Sequence, residues 1–163
     1  MERLSADSVV DANNASRCPI EVLNQLLELG LPPHKLVLKD GCPVMLLQNL
    51  DPSRGFCNST RLQVKSVATH VVFYTYLDLK RAGPRAPADS VVLLPRICCR
   101  SSEDGSFVEF DCKQFPIRVC FAITINKSQG QSLGRVGVYL NPEVFAYGQL
   151  YVSFSRTTNE DKL

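Results

Sequence analysis

Residues 19–29 carry apolar side chains at Ile20, Leu23, Leu26 and Leu27, with Val22 alongside, the recurrence expected of one buried helical face. Pro19 suits a first turn and Gly30 a C-terminal stop, so the spacing predicts a helix there, and Pro32-Pro33 forces an extended connection after it. Residues 4–10 read as a short strand ahead of that helix. From Leu36 the pattern turns to β. Val44-Met45-Leu46-Leu47 is a compact apolar run, Asp51-Pro52-Ser53-Arg54-Gly55 has the composition of a tight turn, and residues 62–79 are rich in Val, Thr, Phe and Tyr. A basic loop at residues 80–88 and a polar loop at residues 101–106 flank a further strand over residues 91–94. Short strands around turns of this kind predict a small barrel or twisted sheet.

The last third returns to an α/β style. Arg118-Val-Cys-Phe-Ala-Ile-Thr-Ile125 is a near-continuous apolar run, as expected of a strand buried on both faces of a parallel sheet, and a polar cluster at residues 126–132 ends it. Residues 137–140 predict another short strand. After Pro142 a helix is expected to about Thr157, with Tyr147, Leu150, Tyr151 and Phe154 on one face and Gln149, Ser153 and Arg156 on the other. The order α/β, β, α/β implies a β lobe inserted into one α/β unit.

With 163 residues, 45% hydrophobic and 21% charged, the chain has room for one core with a small appended lobe, and two full-sized domains do not fit. No run approaches the roughly 18–20 apolar residues of a membrane span, and the N-terminus lacks the order of a signal peptide, so an intracellular protein is expected, nuclear in a eukaryotic host. Seven cysteines form no C-x-x-C pair, which predicts reduced, mostly buried thiols and no metal site. The net charge of +2 is unevenly spread: residues 1–30 hold five acids against two bases, whereas residues 53–100 hold eight bases against two acids. Such a basic stretch fits a polyanionic partner, and it equally fits a solvated basic surface.

Ligands of open parallel sheets sit beyond the strand ends, where loops present backbone N–H groups to anions. The cluster after the strand at residues 118–125 offers Lys127, the hydroxyls of Thr124, Ser128 and Ser132, the amides of Asn126, Gln129 and Gln131, and Gly130, which lets backbone approach a phosphate. It reads as a phosphate-binding loop or as a plain polar link into a helix. The face of Gln149, Ser153 and Arg156 is likewise either solvated or functional.

Two segments carry a resemblance. Ala-Ile-Thr-Ile-Asn-Lys-Ser-Gln-Gly-Gln-Ser-Leu (residues 122–133) resembles motif V of superfamily-one helicases of the Pif and RecD branch, and Gly-Gln-Leu-Tyr-Val-Ser-Phe-Ser-Arg-Thr (residues 148–157) resembles their motif VI, in matching order and separation. Residues 31–62 and 114–122 resemble the helicase domain encoded by Helitron transposons. The resemblance implies a partial RecA-like domain of α/β class, the family's second, over residues 1–56 and 113–163, with an inserted small Src-homology-three-like β barrel over residues 57–112 that touches DNA. It implies an ATP-dependent enzyme moving 5′ to 3′ on single-stranded DNA, with Arg156 meeting the γ-phosphate. Gln129, Gly130 and Gln149 would line the nucleotide cleft. Thr124, Asn126, Lys127 and Ser128 would link that cleft to DNA phosphates, and Arg61 and Lys65 would track the strand from the barrel. Roles in DNA repair, recombination and telomere maintenance are implied in the same way.

The chain departs from the pattern. No G-x-x-x-x-G-K-[ST] run and no acidic motif for Mg²⁺ is found, so ATP and Mg²⁺ are expected only where a first RecA-like domain is supplied as a partner, and the chain alone is expected to be inactive. Ser153 stands where motif VI usually has Ala. Asn58-Ser59-Thr60-Arg61 stands where the family commonly has Asn-Gly-Thr-Arg, and a tight turn with positive φ is less favourable without Gly. The rival reading is a non-catalytic remnant of a transposon helicase that binds single-stranded nucleic acid.

Overall fold

The structure, a computed structural model, describes residues 1–11, 18–26, 30–77, 91–101, 108–141 and 146–162. Two compact units are formed, Met1–Phe121 and Ala122–Leu163.

The first unit holds β1 (Glu2–Leu4), β2 (Ala6–Val9), α1 (Ile20–Leu23), β3 (Lys35–Val37), β4 (Pro43–Leu46), β5 (Arg61–Val67), β6 (Val71–Tyr76), β7 (Val92–Pro95), β8 (Ile97–Arg100), β9 (Phe110–Gln114) and β10 (Ile117–Val119). They make a five-stranded sheet in the order β10-β4-β5-β6-β7, a three-stranded sheet β2-β9-β8 and the pair β1-β3. The β5–β6 hairpin follows the Val- and aromatic-rich pattern: Leu62, Val64, Val72, Tyr74 and Tyr76 alternate inward, and with Leu36, Leu38, Val44, Leu46, Phe115 and Ile117 they form the main core. The register shifts between Val64 and Ser66, so the strand bulges at Lys65. A second core, of Cys18, Leu23, Leu31, Cys99, Val108, Phe110 and Cys112, joins α1 to the three-stranded sheet.

The tight turn expected at residues 51–55 is a 3-10 turn over Pro52–Arg54, closed by the Asp51 carboxylate accepting from the Arg54 N–H and by Gly55 at φ 82°. Ser59 is the one non-glycine residue at positive φ (70°) among the described residues, at the position where the family carries Gly.

Several expectations need correction. Every strand pair among the described residues is antiparallel, so the parallel sheet of a RecA-like domain is not formed there. The strand expected over residues 118–125 is β10, which ends at Val119 on β4; Phe121 is 78% exposed. A run of apolar residues cannot by itself distinguish a two-face-buried strand from a short strand that continues into a loop and a helix. The five-stranded sheet has free edges at β10 and β7, and no closed barrel forms among the described residues. Strands β4 and β10, from outside residues 57–112, share that sheet with β5. The expected helix over residues 19–29 is shorter, and Leu27 lies outside the described residues, as do the basic loop at residues 80–88 and most of the polar loop at residues 101–106.

The second unit contains α2 (Ile125–Ser128), α3 (Gln149–Phe154) and a closing 3-10 turn over Glu160–Lys162. Residues 137–140 form no strand. On α3, Leu150, Tyr151 and Phe154 are exposed, as is Tyr147 ahead of it, while Ser153 is buried at 4%. Periodicity identifies which residues share a face, not which face meets protein.

Candidate functional site

The polar cluster of the second unit is a helical turn rather than a loop beyond a strand. Thr124 caps α2, its hydroxyl accepting from the Lys127 N–H at 3.4 Å, which leaves Asn126 and Lys127 outward on an exposed turn. The Ser128 hydroxyl donates to the Ile125 carbonyl at 2.6 Å. Gln129 ends the turn in an extended conformation and Gly130 follows at φ 71°, where a side chain would be strained. Gln131 is 3% exposed, and its amide donates back to the Lys127 carbonyl at 2.8 Å.

Helix α3 brings Arg156 to this turn. Its Nε donates to the Val152 carbonyl at 2.7 Å, Nη1 to the Ser128 and Gln131 carbonyls at 3.3 and 3.1 Å, and Nη2 to the Ser155 hydroxyl at 2.7 Å. The Leu133 N–H donates to the Arg156 carbonyl at 2.7 Å, so side chain and backbone of one residue hold both ends of the segment 128–133. The two sequence motifs therefore meet through Arg156. Gln149 is half-buried in the first turn of α3, its N–H donating to the Ala146 carbonyl at 3.4 Å.

Arg61 and Lys65 belong to the first unit. Arg61 opens β5, half-buried, with its Nε buried and unpartnered; Lys65 stands exposed at the bulge. Burial pushes the Cys120 thiol up, opposed by the nearby Arg61 charge. Ser155 is the partner that residue-type reasoning left out, whereas Gln131 was among the cluster's candidate amides. Among the described residues no group of three His, Cys, Asp or Glu side chains is placed to hold a metal ion. No helix among them is long and apolar enough to cross a membrane.

Comparison with known proteins places these features. The family model described as "DNA helicase Pif1, 2B domain" matches residues 21–67. The ATP-dependent DNA helicase PIF1 of Xenopus laevis is 29% identical over 168 residues, covering 99% of this chain and 22% of that protein. The chain spans 15% to 25% of the length of the first curated relatives it matches. Among solved structures, the Pif1 helicase from Candida albicans is similar over 100% of this chain and 38% of its own, at 24% identity and a TM-score of 0.69. The Pif1 helicase from Bacteroides in complex with ADP-AlF3 and ssDNA is similar over 99% of this chain and 33% of its own, at 20% identity and a TM-score of 0.61. These likenesses establish a mixed, sheet-rich fold similar to Pif1 helicase domains. Family model, relatives and solved folds converge on the Pif1-type helicases, and the chain carries a portion of that family's sequence.

Proposed function

We propose that the chain supplies the arginine side of the ATP cleft, and part of the single-stranded DNA path, of a 5′ to 3′ ATP-dependent DNA helicase. The observation that carries this reading is the junction of the two motifs: Arg156, just past α3, is fastened to the 128–131 turn, so the arginine of one motif and the turn of the other form one small unit. Arg156 stabilises the charge that develops on the γ-phosphoryl group, with Gln129, Gly130 and Gln149 beside the nucleotide. Thr124, Asn126 and Lys127 meet DNA phosphates at the exposed turn, and Arg61 and Lys65 meet them on β5; Ser128, expected among them, is buried with its hydroxyl on the Ile125 carbonyl and supports the turn instead. ATP and Mg²⁺ are held chiefly by a first RecA-like domain, which the proposal requires as partner. A similar solved structure, the Bacteroides Pif1 helicase in complex with ADP-AlF3 and ssDNA, supports the two ligand classes. The inserted β subdomain at residues 57–112 is a proposal as well, and the shared sheet of β4, β5 and β10 favours a wider insert.

The test is Arg156→Ala in a two-domain enzyme assembled from this chain and a P-loop domain. ATP turnover is expected to be abolished while single-stranded DNA is still bound by the first unit; unchanged turnover refutes the role.

A further inference from the structure

A guanidinium has five N–H donors: one on Nε and two on each Nη. In Arg156 the Val152, Ser128 and Gln131 carbonyls and the Ser155 hydroxyl engage four of them, leaving one on Nη2. A phosphate held in the two-pronged manner typical of arginine needs two adjacent donors. It must therefore displace at least one existing acceptor. The Nη1 bonds, at 3.3 and 3.1 Å, are the longest of the set, whereas the Nε bond at 2.7 Å ties the side chain to its own helix.

We propose that Arg156 is also a positioning residue for the 128–131 turn, and that phosphate and the Ser128 and Gln131 carbonyls compete for it. This inference rests on the reading that Arg156 meets nucleotide, and it adds a consequence. When phosphate takes the Nη1–Nη2 edge it uses one N–H of each nitrogen, so the turn gives up one of its two Nη1 bonds while Nε keeps the arginine seated on Val152. The Gln131 amide, still bonded to the Lys127 carbonyl, then holds the loosened turn to the exposed Asn126 and Lys127. Phosphate occupancy thereby loosens the segment offered to DNA, and by linkage DNA that prefers the fastened turn weakens phosphate binding by the same factor. The electron and proton inventory is unchanged throughout, since only hydrogen-bond acceptors are exchanged.

Hydrogen exchange of the whole chain, read at single amides by NMR, tests this. The reporters are the Gln131 N–H, bonded to the Ser128 carbonyl at 3.0 Å, and the Leu133 N–H, bonded to the Arg156 carbonyl. Arg156→Ala is expected to speed both about tenfold, from the loss of one charge-assisted hydrogen bond or more. Arg156→Lys, which keeps the charge but not the fork, is expected to fall between. Exchange at the Val152 N–H of α3, bonded to the Gly148 carbonyl at 2.9 Å, should stay as in the unaltered chain, which shows that the second unit of the variant is folded. Excess inorganic pyrophosphate, against sodium chloride of matched ionic strength, is expected to speed the same two amides in the unaltered chain and not in Arg156→Ala. Reporter amides indifferent to Arg156→Ala overturn the fastening, and amides indifferent to pyrophosphate overturn the competition. The phosphate role itself fails by a separate result, retained ATP turnover in the Arg156→Ala two-domain enzyme.

Discussion

Tyr74 is wholly buried in the centre of β6, and its hydroxyl has no hydrogen-bond partner. Burial pushes its ionisation far above the ordinary tyrosine value, and the neighbouring Cys42 adds to the effect. Tyr74→Phe removes the oxygen and keeps the ring, so no cavity of consequence opens and the packing against Leu62, Val64 and Leu94 is retained. A buried hydroxyl left unpaired costs about 1–3 kcal/mol relative to solvent. Allowing for a hydroxyl that reorients part of that cost away, the variant should be more stable by about 1 kcal/mol. In a urea titration this appears as a higher midpoint at constant slope. The pH dependence supplies a second reading of the same change. The folded state prefers neutral Tyr74, so its contribution is fully present below the ordinary tyrosine value near 10 and is lost as pH rises beyond it. The Phe variant should lose stability less steeply above pH 10. A variant less stable by 1 kcal/mol or more, with the same alkaline slope, would refute the reasoning, since it would mean that the hydroxyl is satisfied.

Ser59→Gly should raise the urea midpoint by the equivalent of about 0.5–1 kcal/mol, since relief of a left-handed serine exceeds the extra chain freedom of glycine; a destabilised variant would contradict the φ of 70°. Phe115→Ala, which empties a fully buried site under the Arg96 guanidinium at 5.1 Å, should cost about 3–5 kcal/mol. Burial pushes the Cys99 thiol up to about 11 and raises Cys112 as well, so both favour the folded state as neutral thiols below pH 9 and lose that contribution as pH rises from there; thermal midpoints measured from pH 8 to 11 should fall monotonically. With the whole chain and a labelled single strand of about 20 nucleotides, log affinity should fall by roughly 0.7 per neutralised phosphate for each tenfold rise in salt, and Arg61→Ala and Lys65→Ala should each lower that slope. A slope that ignores both would remove β5 from the DNA path.

The β half of the chain was legible because its signals are local. The hairpin of β5 and β6 follows from alternation, and the strained Ser59 follows from a single missing glycine in Asn58-Ser59-Thr60-Arg61. The second unit was legible at its motifs and illegible in its architecture. Arg156 and the 126–131 cluster are joined as the order of the motifs implied, yet the run at residues 118–125 does not show that it pairs with β4, more than seventy residues earlier. The stripe on α3 shows the same limit: periodicity groups Leu150, Tyr151 and Phe154 on one face without saying whether that face is buried, and all three are exposed.

That same arrangement divides the chromophores. The chain has five tyrosines and no tryptophan, and Tyr74 and Tyr76 are enclosed in the first unit while Tyr139, Tyr147 and Tyr151 are open to water in the second. Collisional quenchers therefore reach one set and spare the other. Intrinsic ultraviolet emission, dissected with acrylamide, follows each half of the molecule separately, with no label attached and no residue replaced.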